Sequence, residues 1–246
     1  MIVLLAPPLH ASELIKVIEK LKPSIVGVGT FKQTRSPPIN FLGTGFAVGD
    51  GRHVITNAHV VQTLLETEKK ESLIVMVGQG KEGQAREAKR VAVDPDHDLA
   101  LLQISGEALQ ALQLGDSDTV REGQAVVFTG FPIGMVLGLY PVTHRGIVSA
   151  LTPIVQPGLS SKQLDEKMIK RLRDSAYTVF QLDATAYPGN SGSPLYDPET
   201  GTVYGIINMV FVKGTKETAL TQPSGITYAI PGKYLQDLLR KQQALE

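Results

Sequence analysis

Pro188-Gly189-Asn190-Ser191-Gly192-Ser193-Pro194 is the stretch on which the reading of this chain turns. A serine hydroxyl becomes a nucleophile only when a base takes its proton. It is productive only where backbone N–H groups can hold a developing oxyanion. Glycines on both sides allow the tight turn and positive φ that would expose the Ser191 hydroxyl and aim the Gly189 and Ser191 amides at one point. The same residues also suit an ordinary Gly/Ser/Asn surface turn. The flanks decide between folds. A nucleophile elbow of the Gly-x-Ser-x-Gly kind lies between a strand and a helix. Here Ser193 stands where the second glycine belongs, and the flanking pattern is strand-loop-strand. The stretch therefore belongs to a β protein.

Working outward, short runs rich in Val, Ile, Thr and Phe recur between Gly, Pro, Asp and Asn clusters. The first set is Ile25–Phe31, Leu42–Val48, His53–Thr56, Leu73–Val77, Ala88–Val93 and Leu99–Ile104. The second is Gln124–Thr129, Leu139–Leu151, Tyr177–Leu182, Ser193–Tyr196, Val203–Val212 and Gly225–Ile230. Regular short strands with turn signals predict a sandwich or barrel, and no βαβ alternation points to a parallel sheet. The polar turn Leu114-Gly115-Asp116-Ser117-Asp118 divides the sets. The expected organisation is an N-terminal extension and helix (1–22), a first half (23–115) and a second half (116–246). Ser12–Leu21 and the segment after Pro231-Gly232 carry helical spacing. So does an insertion at 160–174.

Two further stretches carry chemistry. In Val54-Ile55-Thr56-Asn57-Ala58-His59-Val60-Val61, a histidine follows a β-branched strand. Its ordinary pKa near neutrality suits reversible proton transfer; a structural histidine fits the same pattern. In Asp94-Pro95-Asp96-His97-Asp98-Leu99-Ala100-Leu101-Leu102, Asp98 immediately precedes an apolar strand. There a carboxylate could fix an imidazole's tautomer. Asp94 and Asp96 are alternatives deeper in the turn, and a plain turn aspartate is the other reading. Of the remaining histidines, His10 lies in the N-terminal tail. His53 is expected at a strand edge, and His97 is expected to be solvated. His144 precedes Arg145-Gly146 and could approach a cleft.

Bulk composition narrows the classes. The 24 basic residues balance 24 acidic ones, which argues against a nucleic-acid binder. With no cysteine there are no disulfides, thiolate zinc sites or cysteine nucleophiles. No His/Asp/Glu cluster has metal-ligand spacing, so neither metal nor cofactor is expected. No stretch reaches the roughly 20 apolar residues of a spanning helix. Met1–Ala6 is apolar but lacks a basic n-region; it reads as the remnant of an export signal or as a plain extension.

Together these blocks resemble the trypsin-like serine proteases, specifically the bacterial HtrA/Deg group, from about Ile18 to Pro231. Gly43–Val48 through Thr56–Val61 resembles the segment leading to that family's catalytic histidine. Asp98–Leu102 resembles its aspartate strand. Leu114–Ser117, Gly130–Gly134, Gly146–Ala150, Gln181–Ala184, the serine block and Tyr228–Pro231 complete the set. The resemblance implies an all-β protein of two six-stranded antiparallel β-barrels with short terminal helices. It implies His59 and Asp98 from the first barrel and Ser191 from the second. The implied oxyanion hole is formed by Gly189, Asn190 and Ser191. Thr185 and Ala186 would lie near the base of the substrate pocket, with Asn208, Met209 and Val210 along its wall. No acid falls at that base, so small or medium aliphatic side chains are expected before the scissile bond.

The implied function is serine endopeptidase activity on polypeptides, in protein quality control or processing. The implied location is periplasmic or secreted, with the cytoplasm left open. A trimer is implied by the family, with the helix at Ser12–Leu21 either serving assembly or packing on its own barrel. Two departures stand out. Ser193 replaces the family's usual glycine, and the chain stops about 15 residues after Pro231, so no PDZ domain is expected. The alternative reading is a non-catalytic peptide-binding or chaperone-like module on the same fold, docking extended peptides as an added strand.

Overall fold

The computed structural model describes residues 11–62, 71–80, 83–132, 138–154, 177–208 and 226–244. Its strands close into two antiparallel barrels of six. The first is built from β1 (Ile25–Lys32), β2 (Ile39–Val48), β3 (His53–Asn57), β4 (Glu71–Val77), β5 (Gln84–Asp94) and β6 (Leu99–Ile104). Its order is β1-β2-β3-β6-β5-β4, with β4 returning to β1. The second contains β7 (Ala125–Gly130), β8 (Val142–Ile154), β9 (Tyr177–Asp183), β10 (Pro194–Tyr196), β11 (Val203–Asn208) and β12 (Ile226–Pro231). Its order is β10-β11-β12-β9-β8-β7, closed by β10 on β7. Closure leaves neither sheet an open edge. Helices α1 (Ala11–Leu21) and α2 (Gly232–Gln243) flank the barrels. This is the expected all-β class. The insertion at 160–174, and the expected strand residues beyond Asn208, lie outside the described residues.

Side-chain alternation explains how the barrels join. In β6, Ala100, Leu102 and Ile104 cluster with Val26, Val28, Val54 and Val75 of the first barrel. Leu99 and Leu101 face the other way. They enter a cluster with Phe46 and Ile55 of the same barrel, Val127 and Ile206 of the second, and Leu235 of α2. With both faces covered, the first four residues of β6, Leu99–Leu102, read as an apolar run instead of an alternating one, and Gln103 is the strand's one exposed position. Leu99 and Leu101 are fully buried, and each such leucine contributes roughly 1.5–3 kcal/mol. The strand that begins immediately after Asp98 is thereby fixed to the junction of the barrels.

The turn expected to divide the halves also anchors α2. Asp116 accepts from the Asp118 amide at 2.9 Å, capping a short helical turn at Ser117–Thr119. Ser117 Oγ in turn accepts from the Lys233 amide at 3.0 Å. At the other end of the chain, Val17 and Leu21 of α1 are buried. A Cβ at Gly201 would lie 3.2 Å from Val17 Cγ1, so α1 packs on the β10–β11 turn of its own second barrel.

Candidate active site

The site begins where β3 ends. Ala58–Val61 form one helical turn, burying Ala58, Val60 and Val61 and leaving His59 partly exposed. Across from it, the sequence Asp94-Pro95-Asp96-His97 makes the turn from β5 into β6. Asp94 Oδ1 accepts from the amides of Asp96 and His97, each at 3.1 Å. This is the local bonding that makes aspartate a turn former. Asp94 Oδ2 lies 2.7 Å from His97 Nδ1. The Asp94 carboxylate is therefore committed to its own turn, and it is Asp98 that contacts His59.

Asp98 has φ 52°, the only positive φ outside glycine among the described residues. Its carbonyl accepts from the Ala58 amide at 3.0 Å and from Asn57 Nδ2 at 3.2 Å, tying the acid turn to the histidine turn. Its carboxylate is fully engaged. Oδ1 accepts the His59 amide at 2.8 Å, while Oδ2 lies 2.6 Å from His59 Nδ1 and accepts Asn208 Nδ2 at 2.7 Å. An ionised carboxylate only accepts. Nδ1 of His59 must then carry the proton, which leaves Nε2 with a free lone pair.

The serine turn is bolted to β2. Thr44 N donates to Ser191 O at 2.8 Å, and Thr44 Oγ1 donates to Gly189 O at 2.7 Å while accepting from the Phe131 amide at 3.1 Å. A Cβ at Gly43 would stand 3.0 Å from Ser191 O and 2.9 Å from Val60 Cγ2. Gly43 is thus the point where the serine and histidine turns close on one another. The Asn190 amide donates to Tyr187 O at 2.9 Å, and its side chain is fully buried with both polar atoms unpaired. Of the three expected oxyanion donors, the Asn190 N–H is turned back into the loop. Among the described residues the Gly189 and Ser191 amides make no hydrogen bond. The Ser191 hydroxyl and His59 Nε2 do not hydrogen-bond here either; in unliganded sites that contact is commonly long and tightens with substrate.

Ser193 is fully buried, with its hydroxyl unpaired beside Gly130, where a Cβ would come within 1.9 Å of it. Ser193 therefore packs behind the serine turn. Of the expected pocket residues, Ala186 is buried in the second barrel's cluster with Phe128 and Leu182, and Thr185 is half-buried beside it. Asn208, expected along the wall, is fully buried and turns its amide onto Asp98. Met209 and Val210 lie outside the described residues. His53 pairs with Asp50 Oδ1 at 2.9 Å. His97, expected in solvent, is instead stacked on Tyr234, because α2 crosses its turn. His144 stacks on Phe128 at 4.8 Å, and burial holds its pKa below the ordinary value.

Two closed barrels, with a glycine-flanked serine turn fastened beside a half-buried His–Asp pair, define the trypsin-like class. Residues 43–206 match the trypsin-like peptidase domain family, and the chain belongs to it. It is 30% identical over 190 residues to a probable periplasmic serine endoprotease DegP-like protein of Halomonas elongata, covering 77% of this chain and 32% of that protein. It is 29% identical over 251 residues to the serine protease Do-like HtrB of Bacillus subtilis, covering 94% of this chain and 49% of that one. The chain thus spans half or less of these relatives' length. Among solved structures, the HtrA-type protease AlgW with a tripeptide aligns with a TM-score of 0.65 and 26% identity, over 95% of this chain and 63% of that chain. Deg5 aligns with a TM-score of 0.64 and 26% identity, over 93% and 92%.

Proposed function

We propose that the chain is a serine endopeptidase in which Ser191 is the nucleophile, His59 the general base and Asp98 the acid that orients it. The observation that carries this reading is the Asp98 carboxylate. It holds the His59 ring in the one tautomer that leaves Nε2 basic. As Ser191 Oγ attacks a peptide carbonyl carbon, its proton passes to His59 Nε2 and the carbonyl electrons move onto oxygen. The Gly189 and Ser191 amides, which no other acceptor among the described residues takes, supply that oxyanion's donors. Collapse of the tetrahedral intermediate expels the amine with the proton from His59. Water then repeats the sequence on the acyl-enzyme.

The names of the relatives, serine endoproteases and a Do-like serine protease, agree with polypeptide substrates. The periplasmic relatives favour the cell envelope as the place of action. Self-association as a trimer belongs to the same reading and is tested by mass in solution. No helix among the described residues is long and apolar enough to cross a membrane. Small or medium aliphatic residues are the preferred side chains before the scissile bond, because none of Thr185, Ala186, Asn208, Met209 and Val210 is acidic. A cleavage profile dominated by Lys and Arg contradicts that preference.

The deciding experiment is digestion of labelled casein by the purified chain and its Ser191→Ala variant, with a fluorophosphonate probe mapped by mass spectrometry. Loss of a nucleophile in comparable sites lowers turnover by roughly a million-fold. Undiminished proteolysis in Ser191→Ala, or a wild-type chain that neither cleaves nor labels at Ser191, overturns the proposal.

A further inference from the structure

The turn that carries Asp98 contributes one ring to a cluster of three, and two other parts of the fold supply the rest. The His97 imidazole stacks on Tyr234 of α2, with centroids 3.9 Å apart and planes 18° from parallel. Tyr177, the first residue of β9 in the second barrel, meets His97 edge-on at 4.8 Å and Tyr234 at 5.4 Å. The Asp94 carboxylate holds the His97 ring at Nδ1, so it cannot swing out of the stack without losing that bond. The Tyr177 hydroxyl is buried without a hydrogen bond. Burial, and next the charge of the nearby Asp98 carboxylate, push its phenol well above the usual range.

The Asp98 backbone needs such support. A non-glycine residue in the left-handed region is strained, and it persists only where its surroundings over-determine it. The hydrogen bonds from Asn57 and Ala58 fix the carbonyl side of Asp98. On its amide side, the Asp98 N–H donates to Pro95 O at a long 3.4 Å, and the preceding residue is His97. Helix α2 is itself a firm platform. Leu235 and Leu238 are buried in the cluster that joins the barrels, and Gln236 Nε2 donates to Gly115 O at 3.2 Å.

We propose that His97, Tyr234 and Tyr177 are positioning residues for Asp98, so that the C-terminal helix is a working part of the acid's geometry. This rests on reading Asp98 as the orienting acid for His59. The rings touch neither substrate nor the reacting atoms; they hold the backbone from which the carboxylate reaches the imidazole. Truncating Tyr234 leaves His97 unstacked and lets the turn relax, which lengthens the Asp98–His59 bond while the substrate-binding surface is unchanged.

The test compares Tyr234→Ala, His97→Ala and the rescue variant Tyr234→Phe with the wild-type chain in two readouts. One is kcat and KM on a peptide substrate. The other is the low-field proton NMR signal of His59 Nδ1–H, assigned by its disappearance in His59→Gln. Small misplacements of catalytic groups cost up to about a hundredfold, so Tyr234→Ala is expected to lower kcat by about tenfold or more with KM little changed. The same variant shifts or broadens the low-field signal, and Tyr234→Phe, which keeps the ring, recovers both. If Tyr234→Ala does not fold, His97→Ala decides by the same two readouts. Wild-type kcat and an unmoved signal in the alanine variants overturn the inference, as does a Tyr234→Phe variant as impaired as the alanine. If the wild-type chain cleaves no peptide, the proteolytic reading fails by itself. The NMR signal still decides the positioning, upheld by its disturbance in Tyr234→Ala and overturned by its constancy.

Discussion

Asn208, at the last position of β11 in the second barrel, donates its amide to the same Asp98 oxygen that faces the His59 ring. The first barrel supplies the acid and the imidazole, and the second supplies the hydrogen bond that completes the carboxylate's shell. A hydrogen bond to a charged group is worth about 1.5–3 kcal/mol. Asn208→Ala should therefore lower the thermal midpoint, and it should also reduce kcat with little change in KM, since Asp98 gains freedom to rotate off His59. Peptide kinetics with parallel thermal melts check this; unchanged kcat in a folded Asn208→Ala protein contradicts the role.

Thr44 gives a second prediction. Its hydroxyl joins the Gly189 carbonyl to the Phe131 amide, and the residue is fully buried. Valine has nearly the same shape but neither donor nor acceptor. Thr44→Val leaves two backbone groups unpaired, the buried Phe131 amide at about 1–3 kcal/mol and the part-buried Gly189 carbonyl at less. The serine turn keeps the backbone bond from the Thr44 amide to Ser191 O but loses its side-chain fastening to β2, so fluorophosphonate labelling of Ser191 should slow while Thr44→Ser keeps most of the wild-type rate. Equal urea stability for Val and Thr would show that the bonds contribute nothing.

The fold was legible because its signals are local. The runs from Ile25 to Ile104 are β-branched and bounded by Gly, Asp and Asn, and their strands were found with ends displaced by up to a few residues. The serine and histidine blocks are each a contiguous stretch with one exceptional residue, whereas the aspartate block offers Asp94 and Asp96 beside Asp98, and only the turn geometry sets Asp94 apart. Asn208 is expected along a pocket wall and bonds Asp98 in the structure, for a different reason. A strand's side chains alternate faces, so one residue of register across Ile206–Val210 decides which way an amide points. The His97 stack was out of reach for a third reason. Its partners Tyr177 and Tyr234 lie far along the chain, and only the packing of β9 and α2 against the turn brings them together.

Gly192 has φ 90°, and a Cβ there would fall 1.8 Å from Thr44 O and 2.6 Å from Thr56 Oγ1. Both contacts are impossible, and one is to backbone that also forms β2. Gly192→Ala must therefore push the serine turn away from the first barrel. A loss on the order of 4 kcal/mol or more, the range of severe backbone and packing defects, is expected in urea unfolding, with no detectable labelling of Ser191. Gly123 has a similar φ of 84° but open space around it. Gly123→Ala carries only the conformational strain and should stay folded and reactive, so comparing the two separates the clash from the positive φ.

His144 sets the direction of one pH effect. Burial against Phe128 holds its pKa below the ordinary 6.5, and its Nε2 is buried without a partner. Above 6.5 the ring is neutral in folded and unfolded chains alike, and it adds no pH dependence. As the pH falls below that value, the unfolded chain takes up the proton first. Stability therefore declines, and the decline stops only once the pH has passed the lowered native value. Thermal midpoints measured between about pH 8 and about pH 5 should drop less for His144→Phe than for the wild-type chain, because phenylalanine keeps the stacking position without a titrating nitrogen. A variant whose midpoint falls as steeply as the wild type's would assign the acid sensitivity to other groups and remove His144 from it.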